Sequence, residues 1–258
     1  MTQSLTPSHP GAVAAGPING ELEEMIDWSR TRGSRMGYFA ALYTHVEVAI
    51  EAACARDEFT HPYLLARVNE RFFRRYLGAF DERRRGLPAS GPWQAAFDAC
   101  GSNRLCVVQH LLLGMNAHIN YDLPIAVVHA LDPDELPTFR DDFDRMNDLL
   151  ASLVDEVCND IALCWPLLRW INRLGRGPDD VIIDFSMRCA REHAWCSALK
   201  LAPLSGTTRR RAIAAMDAEA VQLARDVARP SGLGRFVAAI IRAGEHGSVP
   251  DIIDDLLH

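Results

Sequence analysis

The chain has 258 residues, of which 48% are hydrophobic, 24% charged and 8% aromatic, proportions that exclude a disordered or fibrous protein. The 27 lysines and arginines are outnumbered by 34 aspartates and glutamates, which gives a net charge of -7. Such a balance offers no basic field to attract nucleic acid or an anionic membrane surface. We therefore expect neither nucleic acid nor a membrane as a partner.

The chain carries no recognisable targeting segment. Its first twenty residues have neither a basic start nor a continuous apolar stretch, so we predict a flexible leader over 1–20 and a single domain over 21–258. No run of about eighteen apolar residues is free of charge, which argues against a transmembrane helix. The seven cysteines are odd in number and form no C-x-x-C pair. This usage predicts a reduced, cytoplasmic setting.

After the leader, apolar residues recur with the period of a helix, and glycine, proline and capping residues fall where helices should end. We find no alternating strand pattern and no internal repeat. The pattern predicts an all-α, single-domain bundle of about eight to ten helices, with a break expected at Trp165–Pro166. In chain order, the predicted helices cover 21–32, 36–55, 61–80, a short segment from 92, 104–130, 138–163, 179–201, 207–228, 233–243 and 250–257.

The predicted fifth helix, Arg104 to Ala130, is apolar almost all round, as its segment LCVVQHLLLGMNAHINYDLPIAVVHAL shows. A helix that is apolar on every side is usually buried among the others. We therefore predict that the bundle is built around this central helix.

Four side chains that can form hydrogen bonds lie within seven residues of the central helix. His118 and Asp122 are four residues apart, so on an α-helix they share a face at about 6 Å of rise. This spacing allows an imidazole and a carboxylate to hold one metal ion or to bind each other. Asn116 and Asn120 form a second such pair on the opposite face. Because an unpaired buried polar group costs about 1 to 3 kcal/mol, we expect these residues to have a use.

Two interpretations follow from this cluster. In the first, the protein is a small-molecule enzyme of the hydrolase or biosynthetic tailoring type. His118 and Asp122 then hold a divalent metal (zinc, iron or manganese) or act as a base and its orienting acid, with Asn116 and Asn120 in support. In the second, the protein is a non-catalytic binding or scaffold protein, and the same residues form a structural hydrogen-bond network. No nucleotide-cofactor motif is present.

A ligand that reached His118 would have to enter between neighbouring helices. Small-molecule sites have apolar walls with few polar groups, and aromatic side chains are the best candidates for those walls. The alternative is that they only fill the core. The candidates are Tyr43, Phe72, Tyr76, Trp93, Tyr121 and Trp195.

Two smaller clusters of polar side chains lie elsewhere in the sequence. Cys189, His193 and Cys196 share a helix face, but no fourth zinc ligand is visible nearby, so we expect them to pack in the core. Asp144 and Asn147 become neighbours of His118 if the sixth helix folds back on the fifth.

The segment GMNAHINYDLP, preceded by QH, resembles the signature of a large bacterial family of uncharacterised helical proteins. In that family an LYxxV segment and an aromatic FxxRY helix precede the signature, and an R-x-x-AW helix follows it. The resemblance covers roughly residues 36 to 201 and implies an all-helical fold without assigning a reaction. This chain departs from the pattern at Asn69, where the family tends to have aspartate, and at Glu47, where it tends to have threonine.

A more remote likeness is to the zinc-dependent phospholipase C and single-strand nuclease enzymes, which are also all-helical. They use H-x-x-x-D followed by a proline and a further histidine, an order that is similar to His118, Asp122, Pro124 and His129. This analogy implies a metal site, but on a straight helix His129 would lie about 16 Å beyond His118. The two could share a metal only if Pro124 bends the helix.

Overall fold

A computed structural model describes residues 16–164 and 187–258. These residues form eleven α-helices and one π-helical segment, and they contain no β-strand. The helices are α1 (Gly16–Arg32), α2 (Met36–Ala55), α3 (Pro62–Arg84), α4 (Gly91–Ala99), α5 (Val107–Asn116), the π segment (Ala117–Asp122), α6 (Leu123–Ala130), α7 (Leu136–Cys164), α8 (Met187–Leu201), α9 (Gly206–Ala228), α10 (Gly232–Gly244) and α11 (Val249–Asp255).

The all-α prediction is confirmed, and α5, the π segment and α6 together form the predicted central helix. His129 is the only exposed residue between Val107 and Ala130. Helices α2, α4 and α9 pack against α5, while α3 and α8 pack against α6. When this central helix is counted as one, the described residues contain ten helices, within the predicted range.

The central helix joins two apolar clusters. Its first half, through Leu111 to Ala117, packs with residues of α1, α2 and α4. Its second half, from Ile119 onwards, packs with α7, α8 and the start of α3. His118 lies between the two clusters, so the polar residues of the π segment occupy the junction of the core.

A glycine permits the close approach of α5 to α2. A Cβ atom at Gly114 would lie 2.6 Å from Cγ of Phe39, a distance that real Cβ contacts do not show. Only glycine therefore allows the Phe39 ring to lie directly on the central helix, next to the π segment.

The observed boundaries differ from the predicted ones mainly at the start of the chain. Helix α1 begins at Gly16, so residues 16–20 belong to a helix and not to the predicted leader. The predicted break at 165–166 and the start of the predicted seventh helix at 179 lie outside the described residues. Within the described ranges, no helix combines the length and apolarity needed to cross a bilayer.

Candidate functional site

The central helix changes its winding where the site residues lie. Over Ala117–Asp122 it is a π-helix, and the N–H of Leu123 donates to the carbonyl of His118, five residues earlier. Pro124 follows directly; it has no N–H, and its ring would clash with the carbonyl four residues before it in a regular α-helix. The wider turn relieves this conflict. Single π turns within α-helices are frequent at functional sites.

Asp122 is held from two neighbouring helices. Nε of Arg75, on α3, donates to Oδ1 at 2.7 Å, and Nε1 of Trp93, on α4, donates to Oδ2 at 2.6 Å. The carboxylate is almost completely buried, at 1% exposure, whereas the Arg75 side chain is 28% exposed. A guanidinium and an indole N–H therefore fix the carboxylate in place from two directions.

The imidazole of His118 faces this carboxylate. Its Nδ1 lies 3.4 Å from Oδ2 of Asp122, which confirms the predicted proximity of the two residues. Nε2, on the far side of the ring, is buried and has no hydrogen-bond partner among the described residues. Burial lowers the pKa of His118, and the facing carboxylate only partly offsets that effect. At neutral pH the ring is therefore uncharged, and an Nδ1–H directed at Asp122 leaves the lone pair on Nε2.

Aromatic rings enclose the imidazole. Phe72 stacks on it with a centroid distance of 3.5 Å and an interplanar angle of 5°. Tyr43 meets it edge-on at 5.1 Å, and Phe39, Tyr76 and Trp93 lie within about 6 Å. The site therefore excludes water around a neutral imidazole.

Of the six aromatic residues predicted as walls of a ligand pocket, four surround His118 as buried core side chains, namely Tyr43, Phe72, Tyr76 and Trp93, and two do not. Among these four only Trp93 also lines an open cleft, which Asp122 borders and His118 does not. Trp195 packs instead on Phe143, with a centroid distance of 4.8 Å. Tyr121 belongs to a separate small apolar cluster near α9. Phe39 was missed, because its position on α2 gave no sign of the approach that Gly114 permits.

A second buried acid, Glu47, lies one helical turn after Tyr43 on α2. Glu47 is 3% exposed, and its two carboxylate oxygens accept hydrogen bonds of 3.1 and 3.0 Å from the amide of Asn69. Burial is the main cause that raises the pKa of Glu47 to about 7. Burial and the Glu47 carboxylate together raise the pKa of Tyr43 well above its ordinary value. Glu47 and Asn69, the two positions that depart from the resembled family pattern, are therefore direct partners.

A buried arginine, Arg191, lies close enough for its charge to act on both His118 and Tyr43. Nε of Arg191, on α8, donates to Oδ1 of Asn147, on α7, and the guanidinium lies 4.6 Å above the ring of Phe143. Burial lowers the pKa of Arg191 to about 10, so the group remains charged at neutral pH. Its charge contributes to the lowered pKa of His118. Asn147 therefore reaches the site only through Arg191.

The two asparagines of the predicted site have a different environment from His118. Nδ2 of Asn116 donates to the backbone carbonyl of Ala220, on α9, at 2.8 Å. Nδ2 of Asn120 donates to Oδ1 of Asn116 at 3.0 Å. The pair ties the central helix to α9, and no hydrogen bond joins it to His118 or Asp122.

The cysteines and histidine on α8 contradict the expectation of core packing. Cys189 and His193 are exposed and Cys196 is partly exposed. The buried face of α8 is formed instead by Arg191, Ala194, Trp195, Ala198 and Leu201. The shared face of the three residues was read correctly, but that face points outward.

An open cleft approaches the site from the side of Asp122. It has a volume of about 390 Å³ and lies between α3, the first turn of α4, and α6. Trp93 and Asp122 form part of its wall, and His129, which the sequence had placed beyond reach of His118, lies at its α6 side. The residues around it are Arg71, Arg74, Arg75, Gly78, Ala79, Glu82, Ser90, Trp93, Asp122, Ala126 and His129.

The donor set bears on the predicted metal site. Both oxygens of Asp122 already accept hydrogen bonds, one of them from a cationic guanidinium. Across residues 16–164 and 187–258, no group of three or more histidines, cysteines, aspartates and glutamates is arranged to hold a metal ion. Of the ligand atoms of the two predicted residues, Nε2 of His118 is the one that forms no hydrogen bond to a described residue.

Comparison with known proteins places this geometry in a family. No curated protein sequence and no solved structure matches the chain. Residues 17–230 match the model of a family of unknown function, DUF5995. The match includes the central helix, the residues that surround His118 and the residues of the cleft. Because it covers most of the 258 residues, this chain belongs to the DUF5995 family.

Proposed function

We propose that this protein is a small-molecule enzyme in which His118 accepts and returns a proton while Asp122 fixes its imidazole. The observation that carries the proposal is the asymmetry of the His118 ring. Its Nδ1 faces Asp122, and its Nε2 is buried without a partner. A base that is oriented through one nitrogen and free at the other is the arrangement that general acid–base catalysis uses.

Three features support an active role over a merely structural one. An unpaired polar atom in the core costs about 1 to 3 kcal/mol; His110 carries this cost too, but His118, unlike His110, combines an unpaired nitrogen with a second nitrogen that faces a carboxylate. The π turn lies at the same residues. Two further titratable groups, the Tyr43 hydroxyl and the Glu47 carboxyl, lie on the next helix, and Glu47 has a pKa of about 7. A group that titrates near neutral pH is suited to moving protons.

The competing function is a non-catalytic one, in which the cluster only fixes the packing of the helices. The stacking of Phe72 on His118 at 3.5 Å favours it, because a ring in that position occupies one face of the imidazole. In this case His118 contributes to stability and to nothing else, so its replacement should change folding but no reaction.

The metal-dependent version of the enzyme is a weaker proposal. Nε2 of His118 could bind zinc, iron or manganese, with Asp122 orienting the ring from behind. Asp122 itself fits poorly as a ligand because Arg75 and Trp93 occupy its oxygens. Stoichiometric metal in the purified protein, together with a melting temperature that falls on chelation in the wild type, would favour this version over simple acid–base chemistry.

The deciding experiment compares His118→Gln with His110→Gln. His110 is a matched control, because it lies on the same central helix, is buried, and has no partner among the described residues at either ring nitrogen. Each purified protein is incubated with a mixture of low-mass metabolites, and depletion is followed by mass spectrometry. We expect the wild type and His110→Gln to consume the same compound and His118→Gln to be at least about 100-fold slower, as general-base losses generally are.

Equal depletion by both variants would contradict the role of His118. A second measurement does not depend on finding the substrate. Nitrogen-15 NMR of the histidine rings should show His118 at pH 7 as the neutral tautomer with its proton on Nδ1. A proton on Nε2, or on both nitrogens, would remove the free lone pair on which the proposal rests.

A further inference from the structure

We infer that the cleft beside Asp122 binds the anionic group, a phosphate or a carboxylate, of a small molecule, and that Arg71 and Arg75 hold it. This inference names the substrate class of the site and in that respect rests on the proposed function. The binding itself is a separate property that can be measured without turnover.

Two helices present matching faces to the cleft. On α3, Arg71, Arg75 and Gly78 follow one another at spacings of four and three residues. The same spacings join Asp122, at the end of the π segment, to Ala126 and His129 on α6. Residues at these spacings lie on one face of a helix. A Cβ atom at Gly78 would meet nothing within 4 Å, so this part of the wall is open. The volume of about 390 Å³ is within the range of small-molecule sites.

One of the three arginines that line the cleft, Arg71, has no acidic partner among the described residues. Arg74 is already paired, at 2.5 Å with Glu21 and at 2.7 Å with Glu70. Arg71, by contrast, forms no ion pair within residues 16–164 and 187–258, although the chain as a whole is acidic. Arginine presents planar N–H groups that match phosphate and carboxylate oxygens. An exposed Arg71 at the edge of a concave site is therefore available to an anion.

Arg75 has donors to spare. A guanidinium has five N–H groups, and Asp122 accepts only the one on Nε. The guanidinium also lies over the Tyr121 ring, 5.3 Å from its centre. An anion bound to Arg75 would be joined to His118 through Asp122, on the Nδ1 side of the ring and opposite the unpaired Nε2.

The pKa of His129 responds to the charges that surround the cleft. Although His129 is exposed, neighbouring side chains exclude part of its water, and this partial desolvation is the first cause that lowers its pKa; the charges of Arg75, Arg209 and Arg71 lower it further. Two acids also line the cleft, Asp122, which Arg75 holds, and Glu82. Neither of them offsets the effect of the three arginines on His129, whose charges all disfavour protonation of the ring. A bound anion should therefore raise the pKa of His129.

The test uses inorganic phosphate and malonate as separate probes, with sodium chloride at equal ionic strength as the reference. Binding is followed by NMR of the His129 ring, which the variant His129→Gln assigns. We expect at least one probe to cause a saturable change and to raise the pKa of His129. Arg71→Gln should weaken that binding about tenfold, which corresponds to about 1.4 kcal/mol. Arg225→Gln, which removes an equal charge from an exposed position on α9, should change it less than twofold.

A response to phosphate alone identifies a phosphate ester as the ligand type, and a response to malonate alone identifies a carboxylate. The inference is overturned if neither probe acts beyond sodium chloride, or if the two arginine variants weaken binding equally. The same titration on His118→Gln separates this inference from the proposed function. If His118→Gln still binds the probe but has lost turnover, both the anion site and the role of His118 are supported. If the wild type turns over its substrate but binds neither probe, only the inference of an anionic substrate is overturned.

Discussion

Replacing Glu47 by glutamine isolates the energetic effect of a buried acid on this fold. Glu47 has a pKa of about 7 in the folded protein, against an ordinary value of 4.5, and burial is the main cause. Between these two pH values the folded state binds more protons than the unfolded state does. The contribution of Glu47 to the free energy of unfolding must therefore fall as pH rises from 4.5 to 7, and it stays level above that range. At about 1.4 kcal/mol per pH unit, the loss is about 3 kcal/mol.

Glutamine has nearly the same shape and cannot ionise, so Glu47→Gln should lack this loss. We expect the variant to match the wild type near pH 4.5 and to be more stable by up to about 3 kcal/mol at pH 8. Urea unfolding at a series of pH values measures the difference directly. Glu24→Gln, on the exposed face of α1, controls for the change in net charge. A constant difference between Glu47→Gln and the wild type across this range would refute the reasoning.

Three other predictions concern the surroundings of the site. Burial and nearby arginines lower the pKa of His110 to about 4, so its contribution to the free energy of unfolding rises with pH, opposite to that of Glu47. The contribution of His110 to the free energy of unfolding is complete above pH 6.5, and about 3 kcal/mol of it is lost as pH falls towards 4. If the free energy of unfolding of His110→Gln varied with pH just as that of the wild type does, this prediction would be contradicted. Trp93→Phe removes a donor from the buried carboxylate and should lower the free energy of unfolding by about 1 to 3 kcal/mol; a loss below about 0.5 kcal/mol in urea would show that the bond is dispensable. Gly114→Ala forces a Cβ against the Phe39 ring and should destabilise the fold by about 1 to 3 kcal/mol. Gly78→Ala, with free space around it, should instead stabilise α3 by up to about 1 kcal/mol. Melting temperatures that shift in the same direction for both variants would oppose this interpretation.

The helices and the central position of one of them follow from local pattern, and local pattern is what a single sequence shows well. The segment from Val107 to Ala130 is apolar on every side, and burial is the only environment that suits such a helix. The contact between His118 and Asp122 is equally local, since four residues separate them on the same helix. Both expectations needed no knowledge of how distant helices meet.

The partners of these residues depend on contacts between helices, and no periodicity reports those contacts. Arg75 lies 47 positions before the carboxylate that it binds, and Asn69 lies 22 positions after Glu47. A lone arginine on a largely charged helix looks like a solvated side chain until the neighbouring helix is in place. The outward face of Cys189 was misjudged for the same reason, because residue type alone does not say which side of α8 meets the bundle.

The π segment also sets the rotational phase of the central helix. A turn that contains one extra residue delays every later side chain by about 100° relative to a continuous α-helix. Helix α6 therefore presents Ala126 and His129 towards α3, on the same side as Asp122 at the end of the π segment. The unbroken winding of α5 would have given this direction to other residues. Deleting a single residue within 117–122 would remove this offset without changing any side chain of α6. After such a deletion, either α5 or α6 could keep its present packing against the neighbouring helices, but not both.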